Sequence, residues 1–179
     1  MKLSPIQLIQ SKFIKISVEV NDDFVSETQG GGERFVLDIE HMMHIERHSP
    51  TSTDPDEPVQ YLLALGIRSG KDNTQAIPYV FELVVTAIIS AAPKQFPSAN
   101  NLDDSAAKYG FSILFGQIRE SLSSITVRMN AGQFNLPTMS FIDVTFGQAQ
   151  GNSSIKGVNN TSDSGALGPT DQSGPPRVS

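Results

Sequence analysis

The chain contains no cysteine and no tryptophan. Without thiols there is no disulfide framework, no thiolate zinc site and no cysteine nucleophile, and redox chemistry assigns no compartment. Basic residues are outnumbered, 13 Lys and Arg against 19 Asp and Glu, which leaves a formal charge of −6. No basic stripe is present to displace counterions from a phosphate backbone, so nucleic acid is not an expected partner. Long apolar runs are missing as well. The most apolar stretch, Ile77 to Pro93, carries Glu82 and two prolines and falls short of the roughly 20 residues that a membrane span needs. Near the N-terminus, Pro5, Gln7, Gln10, Lys12 and Lys15 interrupt any secretion-type apolar core, and the expected location is cytoplasmic.

What is there suffices for a core. With 179 residues, 38% of them hydrophobic, the chain fits one domain with tails. Within residues 6 to 20, Ile14, Ile16, Val18 and Val20 alternate with Lys15, Ser17 and Glu19, the period of a strand with one buried face. The triplet Gly30-Gly31-Gly32 marks a connecting loop. A second strand is expected over Arg34 to Ile45, where Phe35, Leu37, Ile39, Met43 and Ile45 share one parity. Pro50, Pro55 and Pro58 break the chain before Val59 to Ile67, and Ala76 to Ala91 follows as the fourth strand. Four consecutive strands with short links predict an antiparallel sheet.

After Pro97 the period changes. Phe111, Leu114, Phe115, Ile118, Leu122, Ile125 and Met129 lie on one stripe of a helix, with Gly132 placed as its left-handed stop. An interior glycine costs about 1 kcal/mol relative to alanine, so Gly110 and Gly116 put the start of the unbroken helix near Gly116. Phe134 to Val144 is apolar but aperiodic, a surface-hugging segment or a very short helix. From Gly147 to Ser179, 18 of 33 residues are Gly, Ser, Asn or Pro, too little apolar area to offset chain entropy, and a disordered tail is expected. The fold class is therefore α+β: a four-stranded antiparallel sheet, then one long and one short helix on one face, in a domain of residues 1–146 with a tail of 147–179.

Chemistry-bearing motifs are scarce. Asp54, Asp56 and Glu57 lack an EF-hand pattern, the glycine triplet lacks the Lys-Ser/Thr pair of a phosphate loop, and no serine has nucleophile-elbow spacing. Of the histidines, His41 and His44 have opposite strand parity, and only His44 and His48 share a face. A metal-dependent enzyme would have to use that pair; otherwise no enzyme signature and no cofactor are expected. The remaining oddity is apolar excess. Phe134, Leu136, Met139, Phe141 and Phe146 flank the helix stripe, and they read either as ordinary core or as an oligomer interface with a groove for extended apolar peptide.

The run Tyr109-Gly110-Phe111-Ser112-Ile113-Leu114-Phe115-Gly116-Gln117-Ile118-Arg119-Glu120 resembles the first helix region of SecB-type protein-export chaperones. Asn135-Leu136-Pro137 with Phe141 is similar to that family's linker between helices, and Ile16-Ser17-Val18-Glu19 to the end of its first strand. The resemblance spans roughly residues 5 to 146. It implies an ATP-independent holdase for unfolded polypeptides, without catalytic residues, assembled as a dimer of dimers with the long helices between sheets. On that reading Phe111, Leu114, Phe115, Ile118, Leu122 and Ile125 form the helix interface. Phe24, Phe35, Leu37, Ile39, Phe134, Leu136, Met139, Phe141 and Phe146 line the client groove. Glu19, Val80 and Glu82 match positions that engage the export motor SecA. The chain departs from the family where Lys15 stands in place of a common acid, Phe24 is the nearest aromatic to a missing tryptophan, Gly116 replaces a proline, and the second helix looks truncated at Gly147 before an unmatched tail. Lys15 and the unmatched tail also fit a relative dedicated to one client, such as an antitoxin, with no export role.

Overall fold

The computed structural model describes residues 4–24, 39–48, 57–70 and 77–149. Phe35, Leu37, the glycine triplet, Asp54, Asp56 and the tail beyond 149 lie outside them. Four strands, β1 (Ile6–Val20), β2 (Ile39–His48), β3 (Val59–Ser69) and β4 (Tyr79–Ala91), make one sheet in the order β1-β4-β3-β2 with every neighbour antiparallel. The long helix α1 (Ala99–Thr126) and the four-residue α2 (Phe146–Ala149) follow, as the α+β reading expects.

Alternation sorts the sheet into two faces. Met43 and Ile45 of β2, Tyr61, Leu63, Leu65 and Ile67 of β3, and Phe81, Leu83, Val85 and Ile89 of β4 are buried, and they carry α1. The helix presents Leu102, Ala106, Phe111, Leu114, Phe115, Ile118 and Leu122 to them. Its first turn is set by Ser98, an extended residue whose hydroxyl accepts from the Asn101 amide at 3.3 Å, just after Pro97.

The helix starts seventeen residues before Gly116, against the sequence expectation. Gly110 is not a weakness in it. A Cβ there would stand 2.4 Å from Leu63 Cδ2 and 3.2 Å from Ile89 Cδ1, so the glycine lets the helix approach the sheet closely. Gly132 has the expected positive φ of 83°, but α1 has already ended at Thr126. It closes the turn beyond, where its carbonyl accepts from the Tyr79 hydroxyl at 2.5 Å.

The first strand also departs from expectation. Its pairing with β4 shifts between Leu8 and Gln10 and again between Phe13 and Lys15. Past the second shift, Ile16, Val18 and Val20 pair with Leu83, Phe81 and Tyr79 and so stand on the helix side of the sheet. Yet Ile16 is 50% exposed and Val20 42%. The helix meets β1 at Ser11, through Gln117 Nε2 at 3.0 Å, and beyond it Phe13 and Val18 pack against the core while Ile16 and Val20 stay open. Finally, α2 ends at a fully buried Ala149.

Candidate functional site

From Gln133 the chain turns back along α1 for 13 residues before α2, without helix or strand and with one turn, closed by the Val144 amide on the Phe141 carbonyl at 3.1 Å. Its side chains alternate enough to bury one row. Phe134 packs against Tyr79 and Phe81, with ring centroids 6.2 and 5.9 Å apart. Leu136 is fully enclosed, and Phe141 lies 6.2 Å from Phe111 and 5.8 Å from Phe115. Phe146 meets Tyr61 edge-on at 6.0 Å. Met139 is partly buried against the same core.

Polar ties to the body are few and come from side chains. The Phe134 amide donates to Thr126 Oγ1 at 2.9 Å, Gln133 Nε2 to Ser123 Oγ at 2.6 Å, Arg119 Nη1 to Thr138 Oγ1 at 3.4 Å, and the Phe146 amide to Asp104 Oδ1 at 2.9 Å. Among the described residues no main-chain hydrogen bond joins residues 135–143 to a strand or to α1. The segment is thus an extended peptide seated by apolar anchors in a trough floored by the sheet and walled by α1.

This geometry separates the groove residues expected from the sequence. Ile39, Leu136 and Phe141, at 5%, 1% and 4% exposure, are closed within the core and offer a client no surface as they stand. Phe134, Met139 and Phe146 are half-buried beside it, and Phe24 is half-buried at the end of β1. The helix stripe lies inward as well. Phe111, Leu114, Phe115, Ile118 and Leu122 face their own sheet and are not free to meet a second chain, with only Ile125 half-exposed. A helical stripe shows that one face is covered but not by what.

Exposed apolar side chains remain on α1 and the chain after it, at Tyr109, Val127 and Ile142, and more lie on the sheet. Among the described residues, Leu8, Ile9, Ile14, Ile16 and Val20 are exposed on β1, and Met42, Leu62 and Val80 on the outer face of the sheet. Strand alternation could have found the second group, since each is flanked by buried neighbours of opposite parity.

Glu19, Val80 and Glu82 share that outer face: Glu19 pairs with Val80, and Glu82 stands opposite Ser17 and Arg68. Lys15 Nζ reaches Glu82 Oε2 at 2.5 Å, and Arg68 is bound to Glu40. The row from Glu40 through Arg68 and Glu82 to Lys15 is therefore charge-balanced rather than acidic. A basic partner finds little field to steer it there.

The histidines do not converge. His44 and His48 share the outer parity of β2, but four residues of strand separate them by about 13 Å, beyond a common ion. No group of three His, Cys, Asp or Glu side chains is arranged to hold a metal ion among the described residues. His41 is buried on the inner face, and its Nδ1 has no partner. Desolvation lowers its pKa from the ordinary value of 6.5. The unfolded chain then takes up a proton before the folded one as pH falls below about 6.5, so stability is lost in that direction. Urea denaturation at pH 7.5 and 5.5 should show a lower midpoint at the acidic pH, and His41→Leu should shrink the difference.

A polar junction that the sequence did not disclose pins the start of α1. The Tyr61 hydroxyl donates to Asp103 Oδ1, and Arg47 Nη1 lies 3.3 Å from Asp103 Oδ2. Burial, and secondarily Asp103, push the Tyr61 pKa far above its usual value, so the phenol remains a donor at working pH.

No helix among the described residues is long and apolar enough to cross a membrane. No family model matches the chain, and no curated protein matches its sequence. Among solved structures, one match is a SecB-like chaperone of Mycobacterium tuberculosis in complex with a ChAD peptide from an antitoxin. It shows 16% identity and a TM-score of 0.42, covering 75% of this chain and 91% of that one. Another is a protein of unknown function from Streptococcus agalactiae, at 12% identity and a TM-score of 0.42, covering 74% of this chain and 97% of that one.

Proposed function

We propose that the protein is an ATP-independent holdase of the cytoplasm that binds non-native polypeptides. The observation that carries this reading is the trough: the fold already holds an extended stretch of chain by apolar side chains, with almost no main-chain ladder. Apolar anchoring is nearly indifferent to sequence, which is what a binder of unfolded chains requires. The residues that resemble the SecB family support it, since Phe111, Phe115 and Arg119 within that run contact the segment in the trough.

Assembly as a dimer of dimers belongs to the same reading. The edge of β1, which no described residue pairs and where Ile14 and Ile16 are exposed at 61% and 50%, is the surface that a second copy would cover. Ile14→Lys with Ile16→Glu should shift the protein to a smaller species in light scattering while hardly moving its melting temperature. Unchanged mass would place the contact elsewhere. The holdase activity itself is tested by native mass spectrometry with a chemically unfolded client. A tetramer that takes up about one client chain supports it, and a monomer or dimer that ignores the client refutes it.

A second reading is favoured by the charge-balanced outer face: a chaperone dedicated to a single client, such as an antitoxin, with no export role. Lys15 pairs with Glu82, one of the two acids through which an export motor would be engaged. Purified SecA should then show no binding, whereas saturable binding lost on changing Glu19 and Glu82 to lysine would restore the export role.

A further inference from the structure

We infer that residues 133–146 are a displaceable strap occupying the site a client chain takes, so that binding proceeds by exchange of one extended segment for another. This rests on the holdase reading and adds where the client sits and what must move. The strap is an occupant of stated chemistry: aromatic and aliphatic anchors at Phe134, Leu136, Phe141 and Phe146, with polar Asn135, Thr138 and Ser140 between them. An unfolded polypeptide offers the same chemistry at the same extension.

Three features make exchange feasible. The strap forms no ladder with the sheet, so lifting it between residues 135 and 143 breaks no strand pairing among the described residues. Its ties are exposed side-chain contacts at Gln133 and Thr138 and two amide bonds near its ends, at Phe134 and Phe146. Against it lie Tyr61, Tyr79 and Phe81 of the sheet and Phe111 and Phe115 of α1, an aromatic lining too apolar to stand open to water. An incoming chain must therefore replace each anchor as it leaves, and the strap sets the minimum apolar content of a client. Such a competitor selects unfolded chains over folded surfaces without reading sequence.

The test closes the strap covalently. Because the chain has no cysteine, Arg119→Cys with Thr138→Cys gives two unique thiols beside the strap's midpoint, which a short bismaleimide bridges. Affinity is measured for reduced, carboxymethylated α-lactalbumin, a permanently unfolded chain, by fluorescence anisotropy. The bridged protein should lose at least tenfold in affinity relative to the same variant left unbridged. Thr126→Val, which removes the acceptor of the Phe134 amide, should gain severalfold. Hydrogen exchange at the Phe134 and Phe146 amides should rise when the probe binds to the unmodified protein. Equal affinity with and without the bridge overturns the strap and moves the client elsewhere. Absence of binding by the unmodified protein overturns the holdase reading itself, and the inference with it.

Discussion

Phe111→Ala is expected to lower the unfolding free energy by about 3–5 kcal/mol, the range for truncating a fully buried aromatic. The ring sits at 0% exposure on the inner side of α1 and touches Phe141 across the trough. Its loss opens a void that neither sheet nor helix can refill, since both are regular elements fixed on each other by Leu63, Ile89 and Gly110. Phe141→Ala should cost less, because an extended segment without a ladder can settle toward the gap. The double variant should fall short of the sum of the two, as expected of rings in contact. Urea denaturation followed by circular dichroism measures all three. Equal costs for the two single variants would mean that the segment is as rigid as the helix.

The second large effect falls on the junction at Asp103. Replacing Asp103 by Ala should destabilise the fold by about 2–3 kcal/mol, because it strands the hydroxyl of the fully buried Tyr61 and removes the acceptor of Arg47. Tyr61→Phe should cost less, about 1–2 kcal/mol, since Asp103 keeps Arg47 and some water. Combining them should recover part of the Asp103→Ala loss, because no unpaired hydroxyl then remains. A double cycle that is strictly additive would show that the hydroxyl is solvated and the junction decorative. The raised Tyr61 pKa gives a further sign: above about pH 10 the unfolded chain ionises its phenol while the folded chain does not, so stability declines with alkalinity.

Much of the architecture was legible because period and punctuation are local properties. The alternation at Met43 and Ile45 marked the inner face of β2, and the stripe from Phe111 to Leu122 marked the inner face of α1. Gly110 misled, since the helix-propensity cost is visible in a sequence whereas the approach of Leu63 is a tertiary fact. Ile14, Ile16 and Val20 misled in the opposite sense. Their period is that of a covered strand, and only the placement of β1 at the sheet edge, where α1 covers it in part, leaves them in water. The groove was harder still. Phe141 and Phe146 carry the same signal in a sequence, yet one is enclosed and the other half-open, because burial there depends on how a segment without regular structure lies across a helix.

The sheet order has a consequence for how the chain reaches this state. Strands β2, β3 and β4 are neighbours in sequence and in space, and their pairings close loops of modest length. By contrast β1, made first, pairs among the described residues only with β4, made last, with Ile6 opposite Ala91 and Val20 opposite Tyr79. Loop closure over such separations is slow and entropically unfavourable until the meander exists to receive it. On a ribosome, therefore, a 15-residue strand rich in isoleucine waits unpaired while the rest of the sheet is synthesised. Its interruptions at Lys12 and Lys15 then have a second use, as charges that discourage β1 from pairing with the wrong edge before β4 arrives.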